Sequence, residues 1–229
     1  MRLLIRFIFI LVYLSINAHQ ASADTDFDSN AVVAVKIVGK KDFCSGVVVG
    51  ADEVLTATHC VYDLKTQTYY PTNTMKVGVG DNIVDVSVED DGIQWFDVSR
   101  ISSKPSATIK TVSDFLGNDI VSLTTTSVLP VTPTTMASYT SPKTPLTVWG
   151  FGEDEWGYYG IKKSRPLENA TIDEKLITFS AGACRGDSGG PVLNARNEVV
   201  GIVSVSKVPH CVNAGERIAQ RISNAVKGR

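Results

Sequence analysis

Two short segments of this chain carry side chains that could do chemistry together. Gly186-Asp187-Ser188-Gly189-Gly190-Pro191 surrounds one serine with glycine, which exposes its hydroxyl and frees nearby backbone N–H groups to point at a ligand. Far upstream, Leu55-Thr56-Ala57-Thr58-His59-Cys60 places a histidine at the end of an apolar strand. A serine hydroxyl is a weak nucleophile until a base takes its proton, and a carboxylate normally fixes the tautomer of that base. His59 is the leading base by elimination: His19 falls within an N-terminal segment expected to be removed, and His210 sits beside Cys211 near the end. The carboxylate is the least forced choice. Asp81, Asp91, Asp97, Asp114 and Asp154 read as solvated turn residues, whereas Asp119 opens the apolar run Ile120-Val121-Ser122-Leu123. A buried acid there needs a partner, and a histidine N–H is a suitable one.

The elements that must position these groups read as strands. Alternating or β-branched runs occur at Ala31–Val38, Gly46–Val49, Met75–Val79, Ile83–Val88, Ile120–Thr124, Leu146–Trp149 and Val199–Ser206, separated by Gly, Asp, Asn and Ser clusters. Many short strands without intervening amphipathic helices indicate an all-β barrel or sandwich. Four of the nine prolines (Pro130, Pro133, Pro142, Pro145) fall between Leu129 and Pro145, which suits an extended connection between two units of about 100 residues. The expected division is residues 24–132 and 133–229. At the end of the chain, Ile218, Ile222 and Val226 recur every four residues with Arg217, Arg221 and Lys227 between them, the pattern of a short amphipathic helix, although Gly215–Gln220 could also finish as a strand.

Residues 1–23 have the layout of a cleaved export signal: Arg2 and Arg6, an apolar stretch from Phe7 to Ile16, then Ala21-Ser22-Ala23. Cleavage after Ala23 would start the mature protein at Asp24, in a secreted or periplasmic setting with no membrane association. Without Arg2 and Arg6 the 22 basic side chains fall to 20 against 24 acidic ones, a net charge of −4, which carries no basic footprint for nucleic acid. Cys44, Cys60, Cys184 and Cys211 are the four cysteines, and export makes disulfides their default, with three pairings open. With no Cys-x-x-Cys and so few histidines, neither a metal nor another cofactor is expected.

Taken together, these motifs resemble the chymotrypsin/trypsin family of secreted serine endopeptidases. Gly186–Pro191 is similar to its nucleophile motif, and Leu55–Cys60 to its histidine motif, with Thr58 where alanine is usual. Asn118–Leu123 resembles the acid segment, Val148-Trp149-Gly150 the Gly-Trp-Gly segment, and Gly201-Ile202-Val203-Ser204 the strand lining the substrate cleft. The resemblance implies two packed antiparallel β-barrels. It implies that Ser188 is nucleophile, His59 general base, Asp119 its orienting acid, and Gly186 and Ser188 the oxyanion-hole donors. It also implies that Ser204 supports Asp119, that Gly182, Ala183, Val205 and Ser206 join Ser204 in binding substrate, and that Cys44 pairs with Cys60 and Cys184 with Cys211. Polypeptide substrates and protein protease inhibitors are the partners it implies, acting on a monomer.

The chain departs from that pattern in two places. No Ile-Val-Gly-Gly-like terminus precedes Cys44 to supply the ammonium that usually pairs with the aspartate before the serine, here Asp187. Either an amine at Asp24 or an internal cation or hydrogen bonds must serve instead. The pocket floor, at Gly182 and Ala183, carries no acid, so a preference for Lys or Arg is not supported; a small or medium apolar side chain is expected, with Arg185 and Lys207 leaving an acidic one open. Two rival readings are weaker. An α/β-hydrolase elbow needs a helix after Ser188, which Gly189-Gly190-Pro191 opposes, and Arg185-Gly186-Asp187 spells an adhesion tripeptide whose aspartate is expected to be buried. A catalytically silent homologue that binds proteins is the alternative from another functional class. Asn169-Ala170-Thr171 is a glycosylation sequon.

Overall fold

The computed structural model describes residues 27–83, 92–102, 109–138, 140–141, 143–208, 211 and 213–222. The export-signal segment, Asp24 and most of the Ile83–Val88 run lie outside these residues. Strands β1 (Val32–Ile37), β2 (Phe43–Val48) and β3 (Glu53–Thr56) are followed by a one-turn helix α1 (Thr58–Val61) and a small hairpin, β4 (Tyr62–Asp63) with β5 (Thr68–Tyr69). Strands β6 (Met75–Val79), β7 (Gln94–Ser102) and β8 (Val121–Thr125) complete a closed antiparallel barrel in the order β1-β2-β3-β8-β7-β6.

The second sheet contains β9 (Thr147–Gly150), β10 (Lys163–Pro166), β11 (Thr171–Ile172), β12 (Leu176–Phe179), β13 (Pro191–Leu193), β14 (Val199–Ser206) and β15 (Arg217–Arg221). Its order is β10-β9-β13-β14-β15-β12-β11, so it remains an open half-barrel. A single bridge, Glu168 to Ala181, ties the segment after β10 to the segment after β12. The fold is thus the all-β, chymotrypsin-like double barrel, with its second barrel incompletely closed. The extended segment between β8 and β9 follows both sheets, Thr134 N–H donating to Val48 at 2.8 Å and Ala137 N–H to Val199 at 2.9 Å.

One expectation is corrected at the C-terminus. Residues 217–221 form β15, not a helix, and Val226 lies outside the described residues. The four-residue spacing of Ile218 and Ile222 is overridden because β15 lies between β14 and β12 and spends its backbone groups on both ladders.

Side-chain alternation explains why the strands read as continuous apolar runs. In β1, Val33, Val35 and Ile37 point into the barrel, while Val32 and Ala34 pack on Phe151 outside it. Val48 and Val54 likewise enter the barrel core, and their neighbours Val47 and Leu55 meet Leu193, Val199 and Ile202 of the second sheet. Both faces of these strands are covered, so neither can be polar. Leu55 is fully buried between the two sheets, and Leu55→Ala should cost about 2–5 kcal/mol in urea unfolding. Val38→Ala, at an exposed turn, should stay within about 0.5 kcal/mol in the same measurement.

Candidate active site

The β3–β8 ladder creates the first part of the site. Thr56 is registered against Val121, so the residues just past that pair on each strand, His59 and Asp119, arrive side by side. Asp119 is fully buried and His59 is mostly covered. The Asp119 carboxylate lies 2.7 Å from His59 Nδ1 through Oδ2, and it accepts the His59 backbone N–H at 3.0 Å through Oδ1. Ser204 of β14 donates its hydroxyl to the same Oδ2 at 2.5 Å. With Nδ1 facing a carboxylate, the imidazole's proton is held there, and Nε2 is left as the basic nitrogen. Thr58, where the resemblance leads one to expect alanine, is buried and reaches the Asn118 carbonyl through Oγ1 at 3.4 Å.

Ser188 lies on the loop between β12 and β13, fastened to β14 by Gly189 N–H to Val203 O at 2.8 Å and Val203 N–H to Gly190 O at 2.9 Å. Its hydroxyl donates to the Ser204 carbonyl at 3.4 Å rather than to His59. Ser204 therefore touches both halves of the constellation, the acid through its side chain and the serine through its backbone. Gly189 adopts φ +83°, and a Cβ there would collide with Thr56 Oγ1 and the Ser45 carbonyl. Asp187, Gly189 and Gly190 spend their N–H groups on Cys184, Val203 and Asp187 respectively. Among the described residues, the N–H groups of Gly186 and Ser188 have no acceptor, so both are free to bind an oxyanion.

The question of what holds Asp187 has an internal answer. Its carboxylate is fully buried. Oδ1 accepts the Gly152 N–H at 2.8 Å, and Oδ2 accepts the Cys184 N–H at 2.8 Å together with Arg165 Nη1 at 2.9 Å. Arg165 is itself fixed by the Glu153 carbonyl at 2.6 Å. Burial pushes the Asp187 carboxyl above the usual carboxylate range, and Arg165 with the two backbone N–H groups pulls it back. A buried Asp187 also removes the adhesion-tripeptide reading.

A cavity of about 240 Å³ opens beside Ser188. Ala183, Ser204, Val205 and Ser206 line it, whereas Gly182 does not and packs instead against Pro166 and Leu167. Disulfide Cys44–Cys60 joins β2 to α1, and Cys184–Cys211 joins the serine loop to the cavity wall. His59 lies close to the sulfurs of Cys44 and Cys60, but a disulfide offers no thiolate to a metal.

Three residues that position the site carry no motif. Ser45 is fully buried, donates Oγ to the Gly186 carbonyl at 2.8 Å, accepts the Phe151 N–H at 3.0 Å, and gives its own N–H to Ser188 O at 2.7 Å. Its adjacency to Cys44 was the only available hint. Arg165 sits in an ordinary polar strand. Arg217, read as the polar side of a helix, is buried and lines the cavity.

Arg165→Met removes the counter-charge of a buried carboxylate and should cost about 3–5 kcal/mol near pH 8. Loss of the cation moves the folded-state pKa of Asp187 further up, so the variant takes up its proton before wild type does on acidification. The deficit should therefore shrink as the pH is lowered from about 8 in urea titrations; a pH-independent deficit would refute the pairing.

Comparison with known proteins agrees with this architecture. A family model described as Trypsin matches residues 16–227. A trypsin from Phaedon cochleariae is 28% identical over 195 residues, covering 71% of this chain and 68% of the relative. Among solved structures, a Glu endopeptidase in complex with MPD superposes with a TM-score of 0.66 at 19% identity, covering 86% of each chain, a likeness of fold. With a family match over most of its length on a double-barrel fold, the chain belongs to the trypsin family of chymotrypsin-like serine proteases.

Proposed function

We propose that this protein is a secreted serine endopeptidase that cleaves peptide bonds through a Ser188–His59–Asp119 triad. One observation carries the reading: a buried carboxylate holds His59, and the N–H groups of Ser188 and Gly186 have no acceptor among the described residues. Ser188 Oγ attacks the peptide carbonyl as His59 Nε2 accepts its proton, so the C–O bond forms and the carbonyl electrons move to oxygen. The N–H groups of Gly186 and Ser188 stabilise that oxyanion. Collapse of the tetrahedral species breaks the C–N bond, and His59 returns the proton to the leaving amine. Water then repeats the sequence on the acyl-enzyme, releasing the acid and restoring Ser188. Asp119, with Ser204 behind it, keeps His59 in the required tautomer and stabilises the imidazolium. To accept the proton, His59 must receive the Ser188 hydroxyl, which turns from the Ser204 carbonyl as substrate binds.

The two disulfides support export to an oxidising compartment. Arg165 supports activity without an activating cut, because it gives Asp187 the positive charge that a newly freed amine would otherwise provide.

A fluorophosphonate probe should label Ser188 on the signal-cleaved protein, with the adduct found by peptide mapping. No adduct would favour a protein-binding homologue. Asp119→Asn should lower kcat by about 10⁴-fold with little change in KM, the scale known for triads of this family. Adding one residue ahead of Asp24 should leave turnover unchanged, and a loss of activity on extension would restore the free-amine explanation.

A further inference from the structure

The segment that enters β1 grips the back of the site at three points. Phe27 stacks on Trp149 of β9 with ring centroids 5.2 Å apart, and it joins the apolar layer between the two sheets. Asp28 accepts the Thr132 N–H at 3.0 Å, which ties it to the connection between β8 and β9. The Ser29 carbonyl accepts from Lys162 Nζ at 3.0 Å. Lys162 has only 2% of its side chain exposed and pairs with Asp81 at 2.9 Å. Its ammonium also lies 5.7 Å from the centre of the Phe151 ring, within range of a cation–π attraction. Lys162 therefore carries the grip from Ser29 to Phe151.

These contacts converge on residues 149–152, whose backbone supports the serine loop. The Trp149 carbonyl lies so close to Gly190 that a Cβ there would come within 2.3 Å of it. The Phe151 N–H donates to Ser45 Oγ at 3.0 Å, and that hydroxyl donates to the Gly186 carbonyl at 2.8 Å. The Gly152 N–H donates to the Asp187 carboxylate at 2.8 Å. We propose that Phe27, Asp28 and Ser29 are positioning residues: docked on Trp149, Thr132 and Lys162, they clamp residues 149–152. Through that stretch they hold the Gly186 and Ser188 amides where an oxyanion forms. The proposal rests on the reading of Ser188 as the nucleophile and deepens it, adding a condition that the serine loop does not meet alone. A misplacement of about 1 Å can cost about a hundredfold in rate, so a small shift of residues 149–152 is enough to matter. The grip uses an aromatic ring, a carboxylate and a backbone carbonyl, and no terminal amine, so residues ahead of Phe27 are dispensable to it.

The test compares Phe27→Ala, a chain beginning at Asn30 and a chain beginning at Phe27, with rates normalised to the sites titrated by the fluorophosphonate probe. The first two should lose about tenfold to about a hundredfold in kcat per titrated site with KM little changed, and Phe27→Leu should recover part of it. The chain beginning at Phe27 should keep wild-type turnover; a loss there would move the requirement ahead of the grip and overturn the clamp. A segment that only adds stability would lower the melting temperature and the number of titrated sites. It would leave kcat per site at the wild-type value, and that result also overturns the proposal. Amide hydrogen exchange of Phe27→Ala, read by mass spectrometry, needs no activity and covers a serine that takes no label. Faster exchange across residues 149–152 and 183–190, with β6 and β7 unchanged, supports the clamp. Exchange that rises only at residues 27–32, or equally throughout both sheets, overturns it. An unlabelled wild-type Ser188 beside the expected exchange pattern counts against the serine endopeptidase reading alone.

Discussion

The carboxylate of Asp187, shut away from solvent, is the constraint around which the site is built. A buried charge is tolerated only when an opposite charge and hydrogen bonds replace the water it has lost. Arg165 brings the charge from β10, Gly152 brings one N–H from the loop after β9, and Cys184 brings another from the serine loop itself. Each partner can reach Asp187 only if the loop turns as it does, so charge compensation and loop shape are one condition. The same turn leaves the amides of Gly186 and Ser188 without an acceptor among the described residues.

The first barrel supplies the rest of that frame. Ser45 belongs to β2, yet its hydroxyl and amide hold the carbonyls of Gly186 and Ser188, and its hydroxyl takes the Phe151 N–H. Ser204 belongs to β14, yet its hydroxyl sits on Asp119 of the first barrel. Each half of the molecule thus positions residues of the candidate site contributed by the other, and the packed layer of Val47, Leu55, Leu193 and Ile202 fixes the distance between them. Preorganised dipoles of this kind need no reorganisation when charge develops on a substrate.

The cavity follows the same economy of buried charge with the opposite sign. Arg217 is stapled by carbonyls from Ser180 and from the Cys211–Gly215 turn, which gathers the cavity wall around a cation.

Much of this was readable from residue order. The glycines around Ser188 report a turn that no side chain would fit, the run ending in His59 reports a strand leading to it, and Asn118-Asp119 before an apolar strand reports an acid that must be paired. These are local statements, settled by sterics and by the cost of burying charge, so they survive without coordinates. Met75–Val79 and Val199–Ser206 were legible as strands for the same reason. Ser45, Arg165 and Arg217 were not, since a serine in a strand or an arginine between polar neighbours has no periodic or motif signal. Arg217 even fitted the wrong period, because Ile218 and Ile222 have helical spacing while β14 and β12 claim the backbone between them. The sequence by itself determined the kind of fold and named the groups proposed to react. Only the tertiary structure decided which charges meet, because that depends on strand register and sheet packing between residues far apart in the chain.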